Sequence, residues 1–284
     1  MADPAASSSL ELFHGLPYLV LSLPNGDHLR VLLHGAQVVS WVSGGRERLY
    51  LSPRSAFDGQ SAVRGGVPIC FPQFNQRGPL PKHGFARNLP WLADMPPVLT
   101  PDVARMRLRL PASAATRQFW PQAFELTLAL ELRPGALQLT LEVHNSDVLP
   151  LSFTGALHTY LAVDDIAAAQ LTGLEGQPEW DALADQHGRA ADPLRFQGGF
   201  DRVYDAASQA LVLHDGPQRL RIEQSPGWAQ TVVWNPGAEL AAALPDLPAD
   251  GYAHMLCVEA AQVMQAIAVP AGGTWQGWQR LSLA

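Results

Sequence analysis

FELTLALEL, residues 124–132, puts Phe124, Leu126, Leu128, Leu130 and Leu132 at every second position, with Glu125, Thr127 and Glu131 between them. After the turn RPGA, the run LQLTLEVHN repeats the pattern with Leu137, Leu139, Leu141 and Val143. A period of two gathers the apolar side chains on one side of an extended strand, whereas a helix gathers positions three and four apart. Two such runs across Pro134–Gly135 predict a β-hairpin with one buried face. That face must be covered by a second layer, because an isolated hairpin is marginal in water. Looser alternation recurs in RMRLRL, YLVLSLPNGDHLRVLLHG, ALVLHDGPQRLRIEQ, TVVWNP and MQAIAVPAGGTWQGWQRLSL. The 24 Pro and 24 Gly interrupt almost every stretch long enough for a helix, leaving short helical turns near GAELAAALPDL and EWDALADQ. The pattern predicts an all-β sandwich or barrel.

No linker, repeat or shift in composition divides the 284 residues. The expectation is one β domain over residues 11–284, preceded by a short disordered lead-in over residues 1–10. That lead-in, MADPAASSSL, has neither the basic start nor the apolar stretch of a secretory signal. No apolar run approaches the roughly 20 residues that cross a bilayer. A net charge of -7 argues against a nucleic-acid partner, which requires a broad basic surface. The two cysteines, Cys70 in VPICFP and Cys257 in HMLCVEA, lie in apolar surroundings without zinc-site spacing. Buried thiols, a reducing cytoplasm and a monomer acting on a small molecule are the expectations.

Against the acidic balance stands one segment. From Gly59 to Ala93 there is no Asp or Glu, yet Arg64, Arg77, Lys82, His83 and Arg87 all fall there. RGGVPICFPQFNQRGPLPKHGFARNLPW is too rich in Pro and Gly for a central strand, so it reads as a long irregular connection. Its Phe71, Phe74, Phe85 and Trp91 argue that the connection is packed down. A packed loop with locally unpaired cations is either an anion site, with backbone amides at Gly65 and Gly66 as further donors, or simply a solvated face. His158 stands between two strand-like runs in GALHTYLAVDD. Glu259 lies within the apolar run MLCVEAAQV, where a core-facing carboxylate would be desolvated and its pKa raised. The alternatives are a hydrogen-bonded structural histidine and a solvent-facing glutamate. His83, His158, His254 and Glu259 lack the close spacing of metal motifs, and neither a P-loop nor GxSxG is present. Asp201 follows a Gly-Gly turn in FQGGFDRVYDA, and Trp228 and Trp234 fall in SPGWAQTVVWNPGAE, where an aromatic suits a sugar face or a β core equally.

RGGVPICFPQF, KHGFARNLPW, LHTYLAVDDI, GLEGQPEWD, GGFDRVYD, VVWNP and MLCVEAAQV occur in this order from Arg64 to Val263. Together they resemble the glucose-6-phosphate 1-epimerase (hexose-6-phosphate mutarotase) branch of the aldose 1-epimerase superfamily. The resemblance implies a large twisted antiparallel β-sandwich, the galactose mutarotase-like supersandwich. It implies interconversion of the α and β anomers of a hexose 6-phosphate without metal or organic cofactor. It places the catalytic histidine on His158 and the catalytic glutamate on Glu259. Substrate contacts fall on Arg64, His83, Arg87 and Asp201, and Lys82 joins them by proximity. FPQFN stands where the branch more often has a WPWFG-like run, and Ala261 stands where Gly is usual. Mutarotation needs a base on the anomeric hydroxyl and an acid on the ring oxygen, here Glu259 and His158, with a carboxylate near His158 to favour its protonated form. Arg64, Arg87 and Lys82 would hold the phosphate. The alternatives are an aldose 1-epimerase of unphosphorylated sugar, a silent sugar-phosphate-binding protein, and a metal-dependent β enzyme.

Overall fold

A computed structural model describes residues 5–191, 193–205 and 209–284. Every ladder between its strands is antiparallel. They build a five-stranded meander and two large sheets of ten and eight strands. The lead-in is shorter than the sequence suggests. Residues 1–4 lie outside the described residues, but Ser7–Phe13 is a strand paired in register with Leu16–Ser22. His14 and Gly15, both at positive φ (51° and 83°), make the two-residue turn that this tight hairpin requires. Leu10 and Leu12 remain exposed, so backbone pairing rather than burial forms the strand.

The predicted hairpin is present as Phe124–Arg133 paired with Ala136–Asn145. Phe124, Leu126, Leu128, Leu130, Leu132, Leu137, Leu139, Leu141 and Val143 are all buried. Val103–Pro111 flanks it on one side and Thr274–Leu283 on the other. This sheet packs its apolar face into one contiguous core running from Leu19 to Leu281, to which all three sheets contribute. Of the two short helices expected, Gly237–Ala243 forms, but EWDALADQ does not. There Pro178–Asp181 and Gln186–Arg189 pair as a hairpin. The Asp181 carboxylate accepts from the Leu183 and Ala184 amides at 3.0 and 3.1 Å, and Asp185 takes φ 52°, so the acidic residues build a turn instead of a helix.

Met255–Val269, in the eight-stranded sheet, is flanked by Gln230–Asn235 and Leu151–Leu157. Its first half is buried on both faces. Leu256, Val258 and Ala260 enter the main core, while Cys257 and Ala261 belong to smaller apolar clusters on the other face. Across that second face runs the register Trp180, Val203, Val232, Glu259, one residue from each of four neighbouring strands. Among the described residues no helix is long and apolar enough to cross a membrane.

Candidate active site

Glu259 therefore faces neither solvent nor the main core. It is 1% exposed and lies at the floor of a cavity of about 240 Å³ on the second face of the sheet. His158 reaches the same cavity from the bend between Leu151–Leu157 and Tyr160–Ala162, where its amide donates to the Pro68 carbonyl at 3.0 Å. Its Nδ1 stands 3.3 Å from Oε1 of Glu259 but is misaligned for a hydrogen bond, and Oε2 of Glu259 has no hydrogen-bond partner among the described residues. The His158 ring stacks on Tyr160, with centroids 4.8 Å apart and planes 10° apart, and meets Trp234 edge-on at 6.1 Å.

Arg64, Lys82, His83, Arg87 and Asp201 also line this cavity, so all seven residues picked from the sequence converge on it. They are not equivalent. Arg64 pairs with Asp246 at 2.9 Å and donates to the Tyr160 hydroxyl at 3.3 Å. Arg87 donates to the Lys82 carbonyl at 3.0 Å, and among the described residues neither Arg87 nor Lys82 forms an ion pair. Arg77, the remaining cation of the segment, lies outside the cavity lining and sits 4.9 Å over the Trp180 ring, a cation–π contact. The glycines of RGG serve packing. Gly66 donates its N–H to the Tyr50 carbonyl at 2.7 Å, and a Cβ there would collide with the Val38 carbonyl. Its amide is thus not a donor to an anion.

The long connection is packed down as expected, with Phe71, Phe74, Phe85 and Trp91 buried. In the FPQFN run, Gln73 closes the loop from inside. Its amide nitrogen donates to the carbonyls of Asn75 and Leu80 at 2.9 and 3.0 Å, and its oxygen accepts from the Leu80 amide at 2.9 Å. Several contributors to the site escaped sequence reasoning. Tyr160, two residues beyond His158, carries the stacking ring, and Leu240 and Leu244 of the helix Gly237–Ala243 and its C-cap wall the cavity. Asp246, far from Arg64 in the chain, compensates its charge. Only Tyr160 had a sequence signal, its place in HTY.

Electrostatics differ from the expectation for His158. Burial pushes its pKa well down, and Arg87, Arg64 and Lys82 add to the shift. Glu259 is pushed well up by burial and by Asp201, against the pull of Arg87. The close carboxylate is Glu259 itself, and the two shifts favour a neutral imidazole beside a carboxylic acid. Asp201 is raised to about 6 by burial, opposed by Lys82. Among the described residues no group of three or more His, Cys, Asp or Glu has metal-holding geometry. A second concavity of about 360 Å³, by Asp94, Arg105 and Glu131, contains no histidine, and Arg105 and Glu131 pair there at 2.6 Å.

The large antiparallel β-sandwich, with a buried histidine and glutamate at the floor of a cation-rimmed cavity, has relatives among known proteins. Residues 19–282 match the aldose 1-epimerase family, and the chain belongs to it, as an isomerase that interconverts sugar anomers. Within the family, a Cenchrus ciliaris protein named "Putative glucose-6-phosphate 1-epimerase" is 36% identical over 279 residues, covering 94% of this chain and 85% of its own. An Escherichia coli K12 protein of the same name is 37% identical over 247 residues, covering 83% of this chain and 81% of its own. The crystal structure of a Salmonella typhimurium protein described as a "putative mutarotase" superposes with a TM-score of 0.90 at 30% identity, covering 100% of this chain and 95% of that one. A galactose 1-epimerase from Lactobacillus acidophilus shares the fold, with a TM-score of 0.74 at 15% identity over 99% of both chains.

Proposed function

We propose that this enzyme interconverts the α and β anomers of a hexose 6-phosphate, with Glu259 and His158 as acid–base pair and Lys82 and Arg87 as phosphate contacts. One observation carries the reading: Lys82 and Arg87 rim the cavity of the Glu259–His158 pair without an ion-pair partner among the described residues. A phosphate monoester carries about 1.5–2 negative charges near neutral pH and supplies the missing partner. It also offsets the cations that add to burial in disfavouring a protonated His158, so a bound substrate favours the imidazolium, while Glu259 gives up its proton against the same negative charge. The Glu259 carboxylate then takes the proton from the anomeric hydroxyl as the C1–O1 double bond forms. The C1–O5 electron pair moves to O5, which receives its proton from the His158 imidazolium. Rotation about C1–C2 and reversal of the transfers yields the other anomer. Asp201 accepts from sugar hydroxyls, and Arg64, already compensated by Asp246, contributes directional donors more than net charge.

That compensation also favours the second reading, an epimerase of unphosphorylated sugar, since it removes one cation from the count. Saturation-transfer NMR of anomer exchange separates the two. Fast exchange on glucose 6-phosphate, slow exchange on glucose at equal concentration, and loss of both in Glu259→Gln are expected. Equal exchange on the two sugars would retain the acid–base pair and remove the phosphate contacts. Undiminished exchange in Glu259→Gln would remove the pair.

A further inference from the structure

His83 is held in an unusual way for a residue with no proton-transfer task. Its backbone lies in the left-handed region at φ 66°, a conformation costly for a bulky side chain. The peptide is pinned there by its own N–H donating to the Asn75 carbonyl at 3.0 Å and by its carbonyl accepting from the Phe71 amide at 3.2 Å. The ring is fixed as well. Nδ1 accepts from the Asn75 amide at 3.2 Å and lies 3.1 Å from Sγ of Cys70. An amide N–H can only donate, so Nδ1 must present its lone pair, and the ring proton resides on Nε2. Cys70 agrees with this polarity. It is fully buried, burial pushes its thiol pKa up, and a thiol presents S–H to the same lone pair. Nε2 has no protein hydrogen bond among the described residues, and the ring lines the catalytic cavity with its centroid 5.5 Å from that of His158.

We propose that His83 is a permanently neutral hydrogen-bond donor, its Nε2–H held toward a substrate oxygen that gains negative charge during ring opening, with the Asn75 amide and the Cys70 thiol as the positioning groups that fix this tautomer. It rests on the anomer-interconversion reading and assigns a role that reading leaves open. The charged groups around the ring agree with a neutral imidazole. Burial disfavours its protonation, and His158, Arg87, Lys82 and Arg64 add to this; its packed neighbours Cys70, Asn75 and Phe74 carry no carboxylate, and Glu259 and Asp201, which line the same cavity, form no ion pair with His83 among the described residues. With Nδ1 engaged by an N–H and Nε2 already protonated, His83 has no site from which to act as a base. Its contribution is a prearranged dipole, the role of a donor in an oxyanion hole.

The test begins with the wild-type protein, labelled with ¹⁵N-histidine. Long-range ¹H–¹⁵N NMR is expected to show one histidine with unprotonated Nδ1 and protonated Nε2, unchanged from about pH 5 to pH 9. Titration of His83 in that range, or protonated Nδ1, overturns the proposal without any reference to activity. The second arm compares two amides. In His83→Gln the side-chain amide nitrogen reaches the former Nε2 position, whereas in His83→Asn it stops near Nδ1. His83→Gln is expected to keep a kcat within about tenfold of wild type and His83→Asn to lose about 10²–10³, both with circular dichroism of the folded enzyme. Equal loss in both, or a better His83→Asn, counts against the proposal. Absence of anomer exchange in the wild type itself would instead refute the parent reading, which the NMR arm does not depend on.

Discussion

Replacing Glu259 by methionine is expected to make the protein more stable and inactive. The carboxyl is 1% exposed, its Oε2 is unpartnered, and its Oε1 faces His158 at 3.3 Å without a hydrogen bond. Leaving such a polar group buried without partners costs about 1–3 kcal/mol. Methionine has similar length and no group to satisfy, and it would pack on Val232 across the ladder. We expect Glu259→Met to gain about 1–3 kcal/mol, which for a chain of this size raises Tm by roughly 2–4 °C per kcal/mol. Anomer exchange should fall by about 10²–10⁴. The gain should also depend on pH. The native carboxyl titrates well above the ordinary value of 4.5. Below that value both native and unfolded chains hold the proton, and wild type and variant differ least. As pH rises past 4.5 the unfolded chain ionises first, so wild-type stability falls relative to the variant until the native carboxyl ionises in turn. Urea unfolding of both proteins at several pH values between about 4 and 8, beside NMR exchange on the same samples, measures both quantities. A variant less stable than wild type at every pH, or a difference that does not grow with pH, would refute the reasoning.

Lys82→Met and Arg87→Met should each raise the apparent KM for the sugar phosphate by about 10–100-fold, the worth of a charged hydrogen bond. Exchange on free glucose should be unchanged or faster in Lys82→Met, because that cation disfavours a protonated His158, and a proportionate loss on both sugars would contradict this; in Arg87→Met the same gain is opposed by the lost pull on the Glu259 carboxyl. In kcat/KM profiles an acidic limb near pH 6 is expected from Asp201, whose carboxyl accepts from sugar hydroxyls only above that value. Asp201→Asn should abolish the limb, and a limb that survives belongs to another group. Gly84→Ala should destabilise by more than about 3 kcal/mol, since φ is 71° and the new Cβ would fall on the Phe71 carbonyl. Gly216→Ala, at φ 56° with open space around it, should cost only about 1 kcal/mol in a thermal melt, and similar losses at the two sites would refute the steric argument.

What could be read from the sequence depended on how local the cause was. The hairpin of Phe124–Asn145 was legible because its burial alternates with the same period as its residues. The pairing of Ser7–Phe13 was not, because the strand buries almost nothing and its sequence has the composition of a tail. EWDALADQ has helical spacing, but the carboxylate of Asp181 caps a turn, and Trp180 packs toward the neighbouring apolar cluster. At the site, His158, Glu259 and the basic segment carried motifs, so their convergence could be anticipated. The charge state could not. It follows from how deeply His158 and Glu259 are buried, from the cations around His158 and from Asp201 near Glu259, which are properties of the assembled fold. Asp246, which alters the standing of Arg64, sits in the undistinguished run LPDLPAD and is brought in only by the chain's return after the helix.

The strand that carries Glu259 is enclosed on both sides, whereas residues 75–82, which end at Lys82, form the exposed part of the connection, ordered by turns, by Gln73 and by the contact of Arg77 with Trp180. In hydrogen exchange these two parts should belong to different cooperative units. Amides around Glu259 would exchange only when the whole domain opens, and those of residues 75–82 through smaller fluctuations. Lys82, a proposed phosphate contact, can thus yield and re-form while Glu259, the proposed base, stays in place. Admission and departure of substrate then need not disturb the geometry of the proposed proton transfers.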